Sequence, residues 1–248
     1  MMKPKSLKFI LSVCVFFAIS CKTKKTIDST AKKIIDTCIE THGGNNYQNL
    51  DVSFDFRKFR IKISNHGSQF KYERMTQDSL KREIHDILQN AGFSREVNHI
   101  QQNLSPQDAS KYSESINAIA YFVLLPFKLS DPAVHSEKVG TIVLDNQTYD
   151  KIKVGFDAEG GGKDHQDVFC YWINQKSHTL DYLAYSNGGP RFRKAIKRDT
   201  CAGIIFQNYE NYEVLDTTIG TSNYDKAFLS GKIKLLSKIE QSNYISNR

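Results

Sequence analysis

The chain has 248 residues, with 34 lysines and arginines against 27 aspartates and glutamates, so its formal net charge is +7. Residues 1–20 hold three lysines and no acids, and their removal lowers that balance to +4. Lys22, Lys24 and Lys25 account for most of what remains. The rest of the chain is nearly neutral, whereas a nucleic-acid-binding domain carries a basic stripe, so no nucleic-acid partner is predicted.

The first twenty residues predict a bacterial lipoprotein signal. Three lysines precede an apolar run over residues 9–19, and Cys21 follows the small residue Ser20. The run has only about eleven residues, whereas a membrane-spanning helix needs about 20, so we expect the segment to be cleaved. Cleavage leaves Cys21 as a diacylglyceryl-modified N-terminus that anchors the chain to a membrane.

This signal divides the chain into three predicted segments. They are a signal peptide over residues 1–20, a lipidated tether over residues 21–27 and a single domain over residues 28–248. The domain contains no linker-like stretch and no internal repeat. Lys22 follows the anchor directly, and no acidic run comes after it. We therefore expect a lipid-anchored protein of the cell envelope, on the periplasmic face of the outer membrane.

The domain is predicted to start with a helix. It begins near Asp28 or Ser29 and ends at His42-Gly43-Gly44, where Gly43 suits a C-terminal cap with positive φ. A second helix begins at Ser105-Pro106 and stops at Pro126. Its later half is apolar nearly all round, which predicts heavy burial.

Alternating hydrophobicity predicts strands over most of the remaining chain. Between residues 50 and 63 the alternation changes phase by one residue, which favours a bulge or strong bend in one long strand. Short polar turns between the strands are typical of an antiparallel meander. Further strands are predicted over residues 69–75, 80–89, 93–99, 136–144, 148–156, 167–174, 179–186, 191–197, 203–212 and 233–239.

The predicted fold class is α+β and mainly β. About ten antiparallel strands must bury two amphipathic helices, which favours a large curved sheet, a half-barrel, wrapped around those helices. A flat open sheet of that size would be unusual because strands twist.

Several motifs resemble an uncharacterised family of bacterial envelope lipoproteins. The motifs are HGG at 42–44, VSFDF at 52–56, IAYFVLLP at 119–126, FDAEGGG at 156–162, YWIN at 171–174 and DYLAY at 181–185. The resemblance covers essentially the whole mature chain and names no reaction. The layout is also similar to the half-barrel of the outer-membrane lipoprotein carrier and its receptor, which implies helices wrapped around an acyl-binding cavity.

An acidic glycine-rich loop is the sharpest polar cluster. Asp157, Glu159, Asp164, His165 and Asp167 surround the glycines, and their oxygens and imidazole suit calcium or a transition metal. The spacing matches no EF-hand and no zinc motif. The alternative is an exposed hairpin loop whose acids are merely solvated.

Six residues are candidates for contact with an amphipathic ligand, because aromatic rings line apolar cavities and guanidinium groups receive carboxylates or phosphates. They are Tyr121, Phe122, Trp172, Tyr182, Arg191 and Arg193. Tyr185 and Tyr209 belong to the same aromatic inventory. The alternative is ordinary core for the aromatic residues and cross-strand pairing with acids for the arginines.

His42 and the cysteines have two interpretations each. A histidine at a helix end serves as a base or ligand, or it interacts with the last helical carbonyls. Cys38 and Cys170 fall on apolar faces and are predicted to be core thiols. With Cys201 they make an odd number, which indicates no disulfide framework.

The leading hypothesis is a non-enzymatic, membrane-anchored envelope lipoprotein that binds a lipid or other hydrophobic ligand in a concave cavity. No cofactor is predicted. One alternative is a metal-dependent hydrolase that uses the acidic loop 157–167 with His42. The other is a scaffold that binds envelope proteins through a sheet edge or an apolar patch.

Overall fold

The computed structural model describes residues 28–161 and 165–247, which form three α-helices, fourteen strands and three short 3₁₀ turns. The helices are α1 (Ser29–His42), α2 (Pro106–Val123) and α3 (Tyr224–Leu229). The first six strands are β1 (Asn49–Phe56), β2 (Phe59–His66), β3 (Gln69–Gln77), β4 (Glu83–Gln89), β5 (Gly92–Val97) and β6 (Ile100–Gln101). The remaining strands are β7 (Val134–Leu144), β8 (Gln147–Phe156), β9 (Phe169–Asn174), β10 (Leu180–Tyr185), β11 (Arg191–Cys201), β12 (Ile204–Val214), β13 (Ile233–Ile239) and β14 (Gln241–Ser246).

The strands form two seven-stranded antiparallel sheets. Their orders are β14-β1-β2-β3-β4-β5-β6 and β13-β12-β11-β10-β9-β8-β7. Only Glu240 separates β13 from β14, so one continuous segment ends the second sheet and begins the first. Gln241 fixes this crossing, because its backbone N–H donates to Asn208 and its side chain donates to the Gln207 carbonyl. The result is the predicted α+β half-barrel, with two linked sheets and fourteen strands in place of about ten.

Several local predictions differ from the structure, including the strand predicted over residues 80–89, which begins at Glu83, and the short strand β6, which was not predicted. The change of phase between residues 50 and 63 marks a hairpin, since β1 and β2 are joined by the two-residue turn Arg57-Lys58. Arg57 takes a φ of 56° there without the glycine or asparagine that usually signals such a turn. The polar strand β14 was not predicted, because its pairing with the edge of β1 is a long-range contact.

The two long helices begin and end where the sequence predicts. Asp28 caps α1 by accepting from the backbone N–H groups of Thr30 and Ala31. Gly43 ends the helix with a φ of 149°, and a Cβ at this position would lie 2.9 Å from Ile204. Ser105 caps α2. Among the described residues no helix is long and apolar enough to cross a membrane.

The main core lies between the sheets and the helices α1 and α2, on what we call the inner face. It is filled by large buried side chains from both sheets and by the end of α2, including the chain immediately after it. Buried members include Tyr47, Phe54, Ile61, Ile116, Val123, Leu124, Leu125, Tyr171, Phe206 and Tyr209. The end of α2 and the chain after it therefore plug the half-barrel. The predicted heavy burial holds for one face of the later half only, since Asn117 and Ala118 are exposed.

A second core lies on the opposite side of the second sheet, which we call the outer face. Helix α3 covers it, and Trp172, Tyr182 and Phe192 are all buried there. Asp225 of α3 is fully buried and lies 2.6 Å from the Lys151 ammonium. The Trp172 indole N–H also donates to Asp225, at 3.0 Å. This polar anchor fixes α3 on the sheet.

Candidate functional site

A row of aromatic side chains crosses one end of the inner face. Phe156, Phe169 and Tyr185 come from the neighbouring strands β8, β9 and β10, and Tyr121 and Phe122 come from α2. Ring centroids lie 6.1 Å apart for Tyr121 and Phe156, 5.7 Å for Phe156 and Phe169, and 5.8 Å for Phe169 and Tyr185. These distances are typical of aromatic pairs in direct contact. We call these five residues the aromatic row.

Every member of the aromatic row is only partly buried. The rows of side chains deeper in the same strands are closed, since Val154, Tyr171 and Leu183 are at most 2 % exposed. Strand alternation puts Phe156, Phe169 and Tyr185 on the inner face at the ends of their strands. The sequence indicates Tyr121, Phe122 and Tyr185 as candidates. It gives only a weak signal for Phe156 and Phe169, namely their alternation and their positions at strand ends.

The Arg193 side chain closes one end of the aromatic row. Its guanidinium carbon lies 4.5 Å from the Phe122 ring centroid and 4.9 Å from that of Tyr185. Nη2 donates to the Tyr185 hydroxyl at 2.6 Å, and Nε donates to the Asn211 side-chain oxygen at 3.3 Å. Among the described residues Arg193 has no carboxylate partner within ion-pair distance. The site therefore combines apolar rings in edge-to-face and tilted contact with a cation that has no carboxylate partner in the described part of the chain.

Other charges surround Arg193. Burial lowers the pKa of the Arg193 guanidinium, and the nearby positive charge of Arg57 lowers it further. Arg57 lies in the β1–β2 turn, with its guanidinium carbon 5.8 Å from the Phe56 ring. Arg191 projects from the same sheet face and lies 3.8 Å from Glu213 on β12, which is the cross-strand pairing that the sequence left as an alternative.

The structure separates two of the six predicted ligand residues from the rest. Trp172 and Tyr182 alternate to the outer face, where α3 covers them and both are at most 2 % exposed. Tyr182 donates its hydroxyl proton to Asp145 at 2.8 Å, and that bond with burial raises the tyrosine pKa. Tyr121, Phe122, Arg191 and Arg193 share the inner face.

The acidic loop does not gather a metal-binding set among the described residues. No group of three or more histidine, cysteine, aspartate and glutamate side chains in 28–161 and 165–247 is placed to hold an ion. Asp157 lies 2.6 Å from the His135 Nε2, and Asp167 accepts from Asn187 at 2.7 Å. Glu159 is exposed and His165 is partly buried. Asp164 lies outside the described residues.

His42 is fully buried under the second sheet and has a structural role. Its Nε2 accepts the backbone N–H of Leu180 at 3.1 Å, so its partner is a strand and not the last carbonyls of its own helix. Burial, with the nearby charge of Arg198, lowers the His42 pKa to about 4. The ring is neutral at physiological pH and has no access to a substrate.

The three cysteines of the described chain are free thiols. Cys38 and Cys170 are fully buried, as the core interpretation predicts. Burial raises the pKa of the Cys170 thiol to about 12, and burial likewise raises that of Cys38. Because the thiolate is the nucleophile, neither residue is reactive at neutral pH.

Two open cavities have been located, with volumes of about 860 and 640 Å³. The larger lies between the start of α1, the turn before β7 and β7 itself, and the smaller surrounds the β1–β2 turn. Both are lined mostly by polar side chains, and neither includes a member of the aromatic row. The predicted apolar hollow on the concave side is instead filled by α2 and the core that packs against it.

Comparisons with known proteins identify a matching family and several solved structures with a similar chain arrangement. The model of DUF6503, a family of unknown function, matches residues 6–241. No curated protein matches. A LolA superfamily protein from Nitrosomonas europaea is 12 % identical with a TM-score of 0.48, over 88 % of this chain and 94 % of that one.

Two further solved structures are less similar. The lipoprotein LppX from Mycobacterium tuberculosis is 14 % identical, with a TM-score of 0.30, over 64 % of this chain and 88 % of its own. A putative outer membrane lipoprotein-sorting protein domain from Vibrio parahaemolyticus is 10 % identical, with a TM-score of 0.39, over 80 % and 99 %. At these identities and TM-scores, the likenesses say nothing of what this chain binds.

Proposed function

The chain belongs to DUF6503, a family of unknown function, and we propose that it is a non-enzymatic lipoprotein of the cell envelope that binds an amphipathic ligand along the aromatic row. Cys21 anchors it to the membrane through lipid, after residues 1–20 are removed as a signal peptide. Residues 28–248 form the single binding domain. The observation that carries the proposal is the contiguous, partly exposed set of aromatic rings that ends at Arg193.

The apolar surface that these partly exposed aromatic rings leave in contact with water is costly. Burying apolar surface is worth about 25 cal/mol per Å², so an acyl chain laid over the aromatic row gains about 0.8 kcal/mol for each methylene covered. The same sheet shows that the fold is able to close such rings, because α3 seals Trp172, Tyr182 and Phe192 on the outer face. The open row therefore fits a surface that a ligand completes.

The ligand lies over the row at the end of the half-barrel, and not inside the core. Val123, Leu124 and Leu125, at the end of α2 and just after it, pack in the main core and are at most 4 % exposed.

The tether keeps the site close to the membrane that holds the anchor. Seven backbone steps join Cys21 to Asp28. At about 3.5 Å for each residue, they reach at most about 24 Å. Asp28 caps α1 and also accepts the backbone N–H of Lys138 on β7, so the tether enters the domain at that edge. A lipid of the same membrane is therefore within reach as a ligand.

Photolabelling of the full chain in its own membrane tests this proposal. A photoactivatable, neutral long-chain alcohol should crosslink to the aromatic row, at Tyr121, Phe169 or Tyr185, as mapped by mass spectrometry of peptides. The matched variant Phe169→Asp places a charge in the row and should reduce that labelling at least fivefold while circular dichroism stays unchanged. Crosslinks confined to the outer face or to the tether would overturn the proposal, and a crosslinked protein partner on the row would favour the scaffold.

A further inference from the structure

We infer that the ligand of the aromatic row is anionic and that Arg193, assisted by Arg57, receives its carboxylate or phosphate group. This inference rests on the proposed function and specifies the chemical class of the ligand. It requires three things: unused donors on Arg193, an excess of positive charge around it, and a direct connection between the cation and the apolar row.

The Arg193 guanidinium has hydrogen-bond donors that no group of the described chain uses. A guanidinium carries five N–H hydrogens. Nε uses one on Asn211 and Nη2 uses one on the Tyr185 hydroxyl. Within the described chain both Nη1 hydrogens and one Nη2 hydrogen have no acceptor. The planar fork that remains matches the two oxygens of a carboxylate or phosphate.

A comparison of which arginines have a carboxylate partner also points to Arg193. Eight arginines lie in the described residues, and six of them have a carboxylate at 3.8 Å or less. Those six are Arg60, Arg74, Arg82, Arg95, Arg191 and Arg198. Arg57 and Arg193 are the two described arginines without such a partner, and the positive charge of Arg57 disfavours the charged form of Arg193. An added anion offsets this effect.

The charges that face Arg193 leave the site positive. Arg191 follows on the same strand face, and its partner Glu213 supplies the acid of the neighbouring β12. Arg57, in the β1–β2 turn of the other sheet, lies over the Phe56 ring. That ring is 6.3 Å from the Phe122 ring, over which Arg193 lies. Asn211, directly across from Arg193 on β12, is neutral. Three cations therefore face one carboxylate at this end of the half-barrel.

The cation and the apolar row are continuous. Arg193 stacks on Phe122 and Tyr185, which are themselves members of the row, so a head group on its guanidinium places an attached chain directly over the rings. The aromatic faces also hold the guanidinium plane in one orientation, which reduces the entropy lost when an oxyanion binds.

The test is competition for the photolabel on the full chain in vesicles, with hexadecanoate, hexadecyl phosphate and hexadecanol as competitors. All three have the same chain, so they differ in the head group alone. For the wild type we expect the two anions to displace the label at least tenfold more effectively than the alcohol, which corresponds to about 1.4 kcal/mol. In Arg193→Gln the ratio should fall to near one, and Arg193→Lys should keep part of it.

Lys197→Gln is the matched control, because Lys197 lies on the same strand, is exposed and pairs with Asp199. It should keep the full preference. Equal displacement by all three competitors in the wild type, or an unchanged preference in Arg193→Gln, would overturn the inference and leave the proposed function standing. Absence of label from the row with every probe would overturn the proposed function as well. Displacement by inorganic phosphate at a similar concentration would show a free oxyanion site and overturn the head-group assignment.

Discussion

The two faces of the second sheet carry similar aromatic side chains in different states. On the outer face, Trp172, Tyr182 and Phe192 are fully buried beneath α3. On the inner face, Phe169 and Tyr185 lie on the same or neighbouring strands and remain partly exposed. The difference is not one of composition, since both sets are aromatic. It lies in how completely they are covered. Helix α3 closes the outer-face rings, whereas α2 and the main core leave the inner-face rings partly exposed.

The charges of the two faces differ in the same way. On the outer face, Asp225 pairs with Lys151 at 2.6 Å, and Asp145 pairs with Lys194 at 2.6 Å. On the inner face, Arg193 stacks on rings and bonds only neutral groups among the described residues. A face that is closed and charge-balanced stabilises the fold, whereas a face that is open and has an unbalanced cation is suited to a ligand.

The largest expected loss of stability comes from breaking the buried ion pair between Asp225 of α3 and Lys151. Asp225→Asn leaves the Lys151 charge buried without its partner, and losing one member of a buried ion pair costs about 3–5 kcal/mol. Urea unfolding should show this loss. The exposed pair of Lys197 and Asp199 provides the control, because Asp199→Asn should cost at most about 1 kcal/mol. Equal losses in the two variants would mean that α3 is not held by this pair.

His42 shows that the inner face is closed beneath α1, away from the aromatic row. Its folded-state pKa of about 4 lies below its ordinary value of 6.5, so the unfolded chain binds more protons between these values. Stability should be full above about pH 6.5 and should fall by about 3 kcal/mol as the pH drops toward 4.

Denaturant unfolding at pH 7.5, 6 and 5 measures this dependence. His42→Gln retains an acceptor for the Leu180 N–H but does not titrate, so its stability should change much less over the same interval. A wild-type stability that is flat from pH 7.5 to 5 would show that His42 is accessible to water, in conflict with its burial.

Truncating one ring on each face compares the two packings directly. Phe192→Ala removes a fully buried ring and should cost about 3–5 kcal/mol. Phe169→Ala removes a ring that is already partly exposed, so its cost should be about half of that. Both are measured as free energies of unfolding without ligand. Equal costs would show that the aromatic row is ordinary core.

The smallest effect on stability is expected for Arg193→Gln, at about 1 kcal/mol or less, although it should abolish the preference for anions. Arg193 has no buried counter-ion among the described residues, so its removal leaves no buried carboxylate without a partner. Lys151→Met is the matched comparison and should cost about 3–5 kcal/mol, because it leaves Asp225 unpaired. A comparable loss for Arg193→Gln would identify Arg193 as a structural cation.

Local signals were sufficient for most of the fold. The cap residues Asp28 and Ser105 set the starts of the long helices, and alternation set the strands from β7 to β13 closely. Prediction was wrong where a tertiary contact decides the structure. Arg57 adopts a turn conformation that its residue type does not favour, and β14 is polar and forms a strand because β1 offers an edge.

The candidate site was only partly predictable. Strand alternation correctly placed Arg191 and Arg193 on one face, but it cannot tell which face a helix will cover. Trp172 and Tyr182 were therefore grouped with residues from which a whole sheet separates them. The pairing of Arg191 with Glu213 and the open position of Arg193 depend on which strands are neighbours, which is long-range information.

Mass spectrometry of organic extracts tests the central claim, that the aromatic row binds an amphipathic ligand, most directly. The full chain and residues 22–248, both purified gently from the envelope, should retain the same lipid at about one equivalent, and Phe169→Asp should lose it. Retention of that lipid by residues 22–248 would separate a bound ligand from lipid that merely surrounds the anchor. Extracts with no defined lipid from either protein, or the same lipid from the Phe169→Asp variant, would contradict the account.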